Sequence, residues 1–110
     1  MIKTATSILF VLGLACDSGD TAAAPQAPDD LEVAAVTGGA HLTWVDASDD
    51  EDEFIIERKG TGEFATLDSV PFDTTQFHDA TATTGTWVYR VAASNDGGEA
   101  WSTEVSVTIE

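Results

Sequence analysis

Apolar and polar positions alternate with a period of two through residues 31–109, and no helical stripe of useful length interrupts them. Leu31-Glu32-Val33 opens the series. Leu42-Thr43-Trp44 puts two large side chains on one face with a threonine between. Phe54-Ile55-Ile56-Glu57-Arg58 sets Phe54 and Ile56 together. Phe64 to Val70 makes a fourth run, stopped by Pro71, and Gln76-Phe77-His78 a short fifth. Trp87 to Ala93 is the longest, with Trp87, Tyr89, Val91 and Ala93 on one side. Val105, Val107 and Ile109 alternate with Ser106 and Thr108 at the end. Turn chemistry separates the runs: Gly38-Gly39, the acid run from Asp46 to Glu53, Gly60-Thr61-Gly62, Thr83-Thr84-Gly85 and Asn95-Asp96-Gly97-Gly98. Seven short strands at this spacing predict an all-β fold, a seven-stranded antiparallel β-sandwich. Trp44, Phe54, Ile56, Trp87, Tyr89 and Val91 are its expected core.

The first residues follow a different pattern. Met1-Ile2-Lys3 carries one positive charge, Ser7 to Ala15 runs without any, and Cys16 is followed at once by polar Asp17-Ser18-Gly19-Asp20. That order is a secretory signal. A cysteine just after the cut makes it resemble a bacterial lipoprotein signal, in which the thiol takes a lipid and becomes the mature N-terminus. Ala15 and Cys16 fit that motif, whereas Gly13 and Leu14 depart from it. The alternatives are an ordinary signal that leaves a chance cysteine, or a buried helix. About ten apolar residues cannot span a bilayer, which needs roughly 20, so membrane attachment is expected through lipid on Cys16 only. Stable anchoring takes more than one acyl chain. Cys16 is the single cysteine, so the fold must hold without a disulfide although it lies outside the cytoplasm.

Asp17 to Ala27 is small, polar and proline-containing and reads as a flexible tether. Fully extended, it reaches on the order of 35 Å. The expected organisation is a signal over 1–15, a lipidated cysteine and tether over 16–27, and one small folded domain over 28–110.

Charge narrows the partners. Twenty acids stand against four bases, and one base, Lys3, leaves with the signal. Arg58, Lys59 and Arg90 remain. A nucleic-acid partner is excluded because phosphate binding needs a basic surface, and adhesion of the folded domain itself to anionic lipid is disfavoured for the same reason. Acidity without aromatics signals disorder; here Trp44, Phe54, Phe64, Phe72, Phe77, Trp87, Tyr89 and Trp101 supply core material. The acid excess reads as solubility, in a saline habitat or otherwise.

The ordered set of runs resembles a fibronectin type III domain of the bacterial extracellular kind, an immunoglobulin-like sandwich, over nearly all of residues 28–110. The likeness rests on Ala27-Pro28-Asp29-Asp30-Leu31 entering the first strand and on Leu42-Thr43-Trp44 in the second. Asp46, Ser48 and Glu51 lead into Phe54-Ile55-Ile56-Glu57-Arg58. Phe77 and Asp79, then Tyr89 to Asn95, Gly98 and Val105 to Thr108 complete it. Two departures stand out. Ala82 replaces the family's large leucine before the sixth strand, and Trp87 falls where the family has its corner tyrosine. The resemblance implies a non-catalytic binding or spacer module, a monomer displayed on a bacterial cell envelope, meeting an envelope or extracellular protein or glycan.

Three constellations are candidates for chemistry. Asp46, Asp49, Asp50, Glu51 and Asp52 offer the carboxylate oxygens Ca²⁺ requires, but without EF-hand spacing. They read either as a solvated loop, with Glu51 bonding loop backbone, or as a weak Ca²⁺ site for calcium-dependent adhesion. No other cofactor is implied. His41 and His78 should face solvent and lack the partners a hydrolase needs, so no catalytic residues and no enzyme are expected. Trp101 begins the last strand, where it either packs over a sheet end or presents an aromatic to a protein or sugar.

Overall fold

The computed structural model describes residues 23–110. Cys16 and the signal-like segment lie outside the described residues. Eight strands follow one another: β1 (Asp29–Val36), β2 (Gly39–Val45), β3 (Glu53–Lys59), β4 (Ala65–Pro71), β5 (Gln76–Asp79), β6 (Gly85–Asn95), β7 (Gly98–Trp101) and β8 (Val105–Ile109). They form two antiparallel sheets. One has the order β1-β2-β5, and the other β4-β3-β6-β7 with β8 also on β6. This is the β-sandwich that the alternation predicts.

The eighth strand arises from a break in the seventh. β7 and β8 both pair with β6, through Ala92↔Trp101 and Tyr89↔Val105. Between them Ser102 leaves the ladder, and its hydroxyl takes over a backbone role. Val91 N–H donates to Ser102 Oγ at 3.0 Å, while Ser102 N–H donates to Val91 C=O at 2.8 Å. The residue therefore keeps Val91 satisfied while the edge strand kinks. Trp101 ends β7 rather than opening the last strand, and Gly98 already belongs to that strand.

The core lies between the sheets. Leu31, Ala40, Leu42 and Trp44 face Phe54, Ile56, Tyr89, Val91 and Ala93, all buried. Trp44 and Phe54 meet across the gap with ring centroids 5.5 Å apart and planes tilted by 59°. Trp87 is half-buried and packs against the margin of this cluster, as do Val105, Val107 and Ile109. Its indole N–H donates to Thr83 C=O at 2.8 Å. Its ring lies so near Gly60 that a Cβ there would stand 3.3 Å away. Ala82 is buried in the same cluster.

Antiparallel pairing gives the sandwich two ends. Asp29↔Val45 and Glu53↔Ser94 place the β2–β3 loop and the β6–β7 turn at one pole. Val36↔Gly39, Lys59↔Val88 and Gly85↔Ile109 place the β1–β2 turn, the β3–β4 turn and the β5–β6 connection at the other. The first pole collects Asp46, Asp49, Asp50, Glu51, Asp52 and Asp96. The bases of the described residues all lie on β3 and β6, with Arg58 and Lys59 toward the far pole.

Candidate functional site

At the acid pole, the β2–β3 loop is organised by its own side chains. Asp46 Oδ1 accepts from Ser48 N–H at 3.1 Å, an Asx turn. Ser48 Oγ donates to Asp50 Oδ1. Asp52 N–H reaches Ser94 C=O at 2.7 Å and ties the loop to β6. Asp49, Asp50 and Asp52 are exposed, Asp46 is half-buried, and Glu51 is buried at 7% exposure.

Glu51 is the anomaly of the loop. Its Oε1 is buried and has no hydrogen-bond partner. Burial pushes its carboxyl above the usual carboxylate range, and the adjacent Asp46 carboxyl and the Asp50 charge push it further. A hydrogen bond from its own backbone N–H pulls the carboxyl the other way and is outweighed. Among the described residues no three His, Cys, Asp or Glu side chains are gathered to hold a metal ion. Asp46 and Glu51 come together; Asp49, Asp50 and Asp52 do not close around them.

Residues ahead of β1 cover this loop. Asn95 Nδ2 donates to Ala23 C=O at 3.0 Å and to Asp50 C=O at 3.1 Å. Pro25 and Pro28 are buried. An open concavity of about 570 Å³ remains between Ala24-Pro25-Gln26 and Asp46 to Asp50. From Ala23 on, the segment read as tether is packed against the domain. Its small residues and prolines fit between two loops as readily as they form a spacer.

Trp101 is half-buried on the outer face of the larger sheet. The Arg90 guanidinium lies 4.2 Å from its ring centroid and 4.2 Å from that of Phe64. Glu57 Oε1 accepts from Arg90 Nε at 3.0 Å and from Nη2 at 2.7 Å, which fixes the guanidinium between the two rings. Lys59 Nζ adds a second cation 4.8 Å from Phe64. Sequence reading singled out Trp101 but not Phe64, Arg90 and Glu57, which come from other elements. Stacking on a guanidinium holds a half-exposed indole in place at small entropic cost.

A buried polar network near the far pole was not anticipated. Asp79, at 2% exposure, accepts from Tyr89 Oη at 2.6 Å, Arg58 Nη1 at 2.8 Å, Thr81 N–H at 2.9 Å and Thr81 Oγ1 at 2.6 Å. Burial alone would raise its pKa; the bonds from Thr81, Tyr89 and Arg58 outweigh it and leave the carboxyl below its ordinary range. Burial and the Asp79 charge push the Tyr89 hydroxyl up. Arg58 also stacks on Trp87, 4.4 Å from the centroid. Arg58 Nη1 also donates to Thr81 Oγ1 at 2.8 Å, so the donors converge on Asp79 and on each other, an arrangement that fixes a core. His41 and His78 face each other on the smaller sheet with ring centroids 6.2 Å apart, and His41 Nε2 lies 3.2 Å from Gln76 Oε1.

No family model matches the sequence, and no curated protein matches it. Solved structures do. A fibronectin type III-like protein from Clostridium thermocellum is similar with a TM-score of 0.65 and 26% identity, covering 80% of this chain and 96% of that one. A fibronectin type III domain of human collagen XX gives a TM-score of 0.64 at 18% identity, covering 84% and 99%. The chain has the fibronectin type III fold.

Proposed function

We propose that this chain is a non-catalytic binding or spacer module, displayed as a lipoprotein on a bacterial envelope. The observation that carries the reading is Cys16, the single cysteine, placed at the end of a signal-like segment directly ahead of one small sandwich. Folds of this type are commonly used to bind or to space. The surface best suited to a protein or glycan is the Phe64–Arg90–Trp101 stack, where aromatic rings are held half-exposed on a flat sheet face. The test of display is mass spectrometry of the chain from its native membrane fraction. A lipid-modified species beginning at Cys16 is expected, and a Cys16→Ala variant should lose it. A mature chain cut elsewhere, with Cys16 unmodified, would refute the reading.

A second reading takes the acid loop as a loose Ca²⁺ site serving adhesion. The contact between Asp46 and buried Glu51 favours it, because a cation there would satisfy the unpaired Oε1. Asp49, Asp50 or Asp52 would have to close in to complete six to eight oxygens. Exposed modules bind Ca²⁺ at about 10⁻⁴–10⁻³ M, so a rise in Tm over millimolar Ca²⁺, lost in Asp46→Asn, is the expected sign.

A further inference from the structure

The N-terminal segment is fastened at one pole, and that has a mechanical consequence. Ala23 is held through its carbonyl by Asn95 Nδ2, the same group that grips the β2–β3 loop at Asp50. Asn95 is itself locked, since its Oδ1 accepts from Gly97 N–H at 2.7 Å. Ala24 lies against the β6–β7 turn, where a Cβ on Gly98 would meet its methyl at 3.6 Å. Pro25 and Pro28 are buried. Proline has little backbone freedom to lose, so ordering this stretch is cheap. The chain thus leaves the domain between two loops and not along a sheet edge.

We propose that Ala23–Gln26 is an orienting strap: it ties the chain leading to Cys16 onto the acid pole, holds that pole toward a lipid surface and presents the far pole outward. The orientation rests on the reading of Cys16 as the anchor. The strap leaves about seven residue steps between Cys16 and Ala23, at most on the order of 25 Å. Without it the leash would start at Asp29, with almost twice the reach. β6 alone, with 11 residues, spans about 35 Å between the poles at a strand's rise. The leash is therefore shorter than the domain, so while the strap holds the domain cannot stand inverted, with its far pole on the surface and its acid pole away from it. The outward end then carries the Arg58–Trp87 stack, Lys59 and the glycine turn at Gly60-Thr61-Gly62. The loops at the acid pole, which a free domain would offer to a partner, face inward.

The test uses the full chain made without lipidation, so that the Cys16 thiol accepts a nitroxide. A second nitroxide goes on Asp49→Cys at the acid pole or on Thr61→Cys at the far pole. Double electron–electron resonance should give a Cys16–49 distance within the reach of the leash, roughly 25 Å, and a clearly longer mean Cys16–61 distance, since the second site lies about 35 Å further along the strands. Asn95→Ala should broaden both distributions and move the Cys16–49 mean outward. Equal distances to the two sites, or no effect of Asn95→Ala on a still-folded domain, would overturn the strap. A second arm uses the envelope-produced chain on vesicles with a headgroup acceptor and a fluorophore at 49 or 61. Stronger quenching at 49 is expected. If the resonance distances hold but the chain does not float with vesicles, the anchor reading has failed and the strap stands. If the distances fail, the strap falls whether or not the chain floats.

Discussion

Tyr89 donates its hydroxyl to Asp79 Oδ2 at 2.6 Å, and that bond joins the longest strand, β6, to the last residue of β5 in the other sheet. Asp79 is at once the acceptor for Arg58 and Thr81, so three elements are locked to one carboxylate. Gly39 shares the locus: with φ +147°, a Cβ on it would fall 2.0 Å from Asp79 C=O. The network is tight because backbone and side chains close on the same residue.

Removing that carboxylate should be costly. Asp79→Ala leaves the buried Tyr89 hydroxyl unpaired and takes the carboxylate from Arg58, which is partly exposed and keeps its bond to Thr81 Oγ1 at 2.8 Å. Breaking a fully buried pair costs about 3–5 kcal/mol, and with Arg58 reaching water we expect about 2–4 kcal/mol. Tyr89→Phe removes one donor of several and should cost about 1–2 kcal/mol. The sign of the pH dependence follows from the lowered pKa of Asp79. Its stabilisation is present above the unfolded-state value of about 4 and is lost as pH falls through the folded-state value. Urea melts of wild type and Asp79→Ala should differ most near pH 7 and converge in acid. A gap that persists at low pH would mean that lost packing, not the charged network, sets the cost.

The two tryptophans of the larger sheet should separate by mechanism. Trp87→Ala removes the indole bond to Thr83, the Arg58 stack and the contact over Gly60. Full burial would cost about 3–5 kcal/mol, and at half-burial we expect about 2–4 kcal/mol. Trp87→Phe keeps most of the ring and should lose only about 1 kcal/mol, the worth of one hydrogen bond. Trp101→Ala loses the Arg90 stack, worth about 0.5–1 kcal/mol at an exposed site, plus some cover of the sheet. Denaturant midpoints at constant m-value measure all three. If Trp101→Ala were the costliest, Trp101 would be a main support of the sheet.

Much of this fold is legible in the sequence because a half-buried strand must alternate. Leu42 and Trp44, Phe54 and Ile56, and Tyr89, Val91 and Ala93 each announce an inner face, and each is buried. The rest depends on contacts between distant residues. Asn95 lies far along the chain from Ala23, so nothing local distinguishes a strap from a tether. Phe64, Arg90 and Trp101 form a stack only once β4, β3, β6 and β7 lie side by side. Asp79 and Thr81 have the spacing of an Asx-type bond, a local signal that the sequence reading passed over, and the partners Arg58 and Tyr89 depend on the strand register. The split of the last strand turns on one serine hydroxyl, which composition does not reveal.

Glu51 should behave oppositely to Asp79. Its carboxyl is raised, first by burial and then by Asp46. The group therefore favours folding while protonated, below the unfolded value of about 4.3, and that benefit is lost as pH rises through the folded-state value. Glu51→Gln removes the charge, and its amide can donate to Asp46. We expect a higher Tm than wild type at pH 7 and no gain near pH 3. A loss of Tm at pH 7 would mean that ionised Glu51 has a stabilising partner, such as a bound cation.

Salt should stabilise the domain, and unevenly. The chain carries a net charge of −16, and the acid pole concentrates carboxylates away from the bases on β3 and β6. Asp49, Asp50, Asp52 and Asp96 are exposed there, so counterions reach them. Their mutual repulsion fades once the screening length drops to about 10 Å, near 0.1 M salt. Tm should therefore rise with NaCl from low ionic strength. The ion pairs Arg58–Asp79, at 2.8 Å with Asp79 buried, and Arg90–Glu57, at 2.7 Å, should weaken little over that range. Replacing Asp49 by Asn should raise Tm at low salt and flatten the NaCl dependence. Replacing Asp68, on β4 away from the pole, should do so less. Calorimetry over a salt series decides it: an equal effect at both places would show that net charge alone, and not its concentration at one pole, sets the cost.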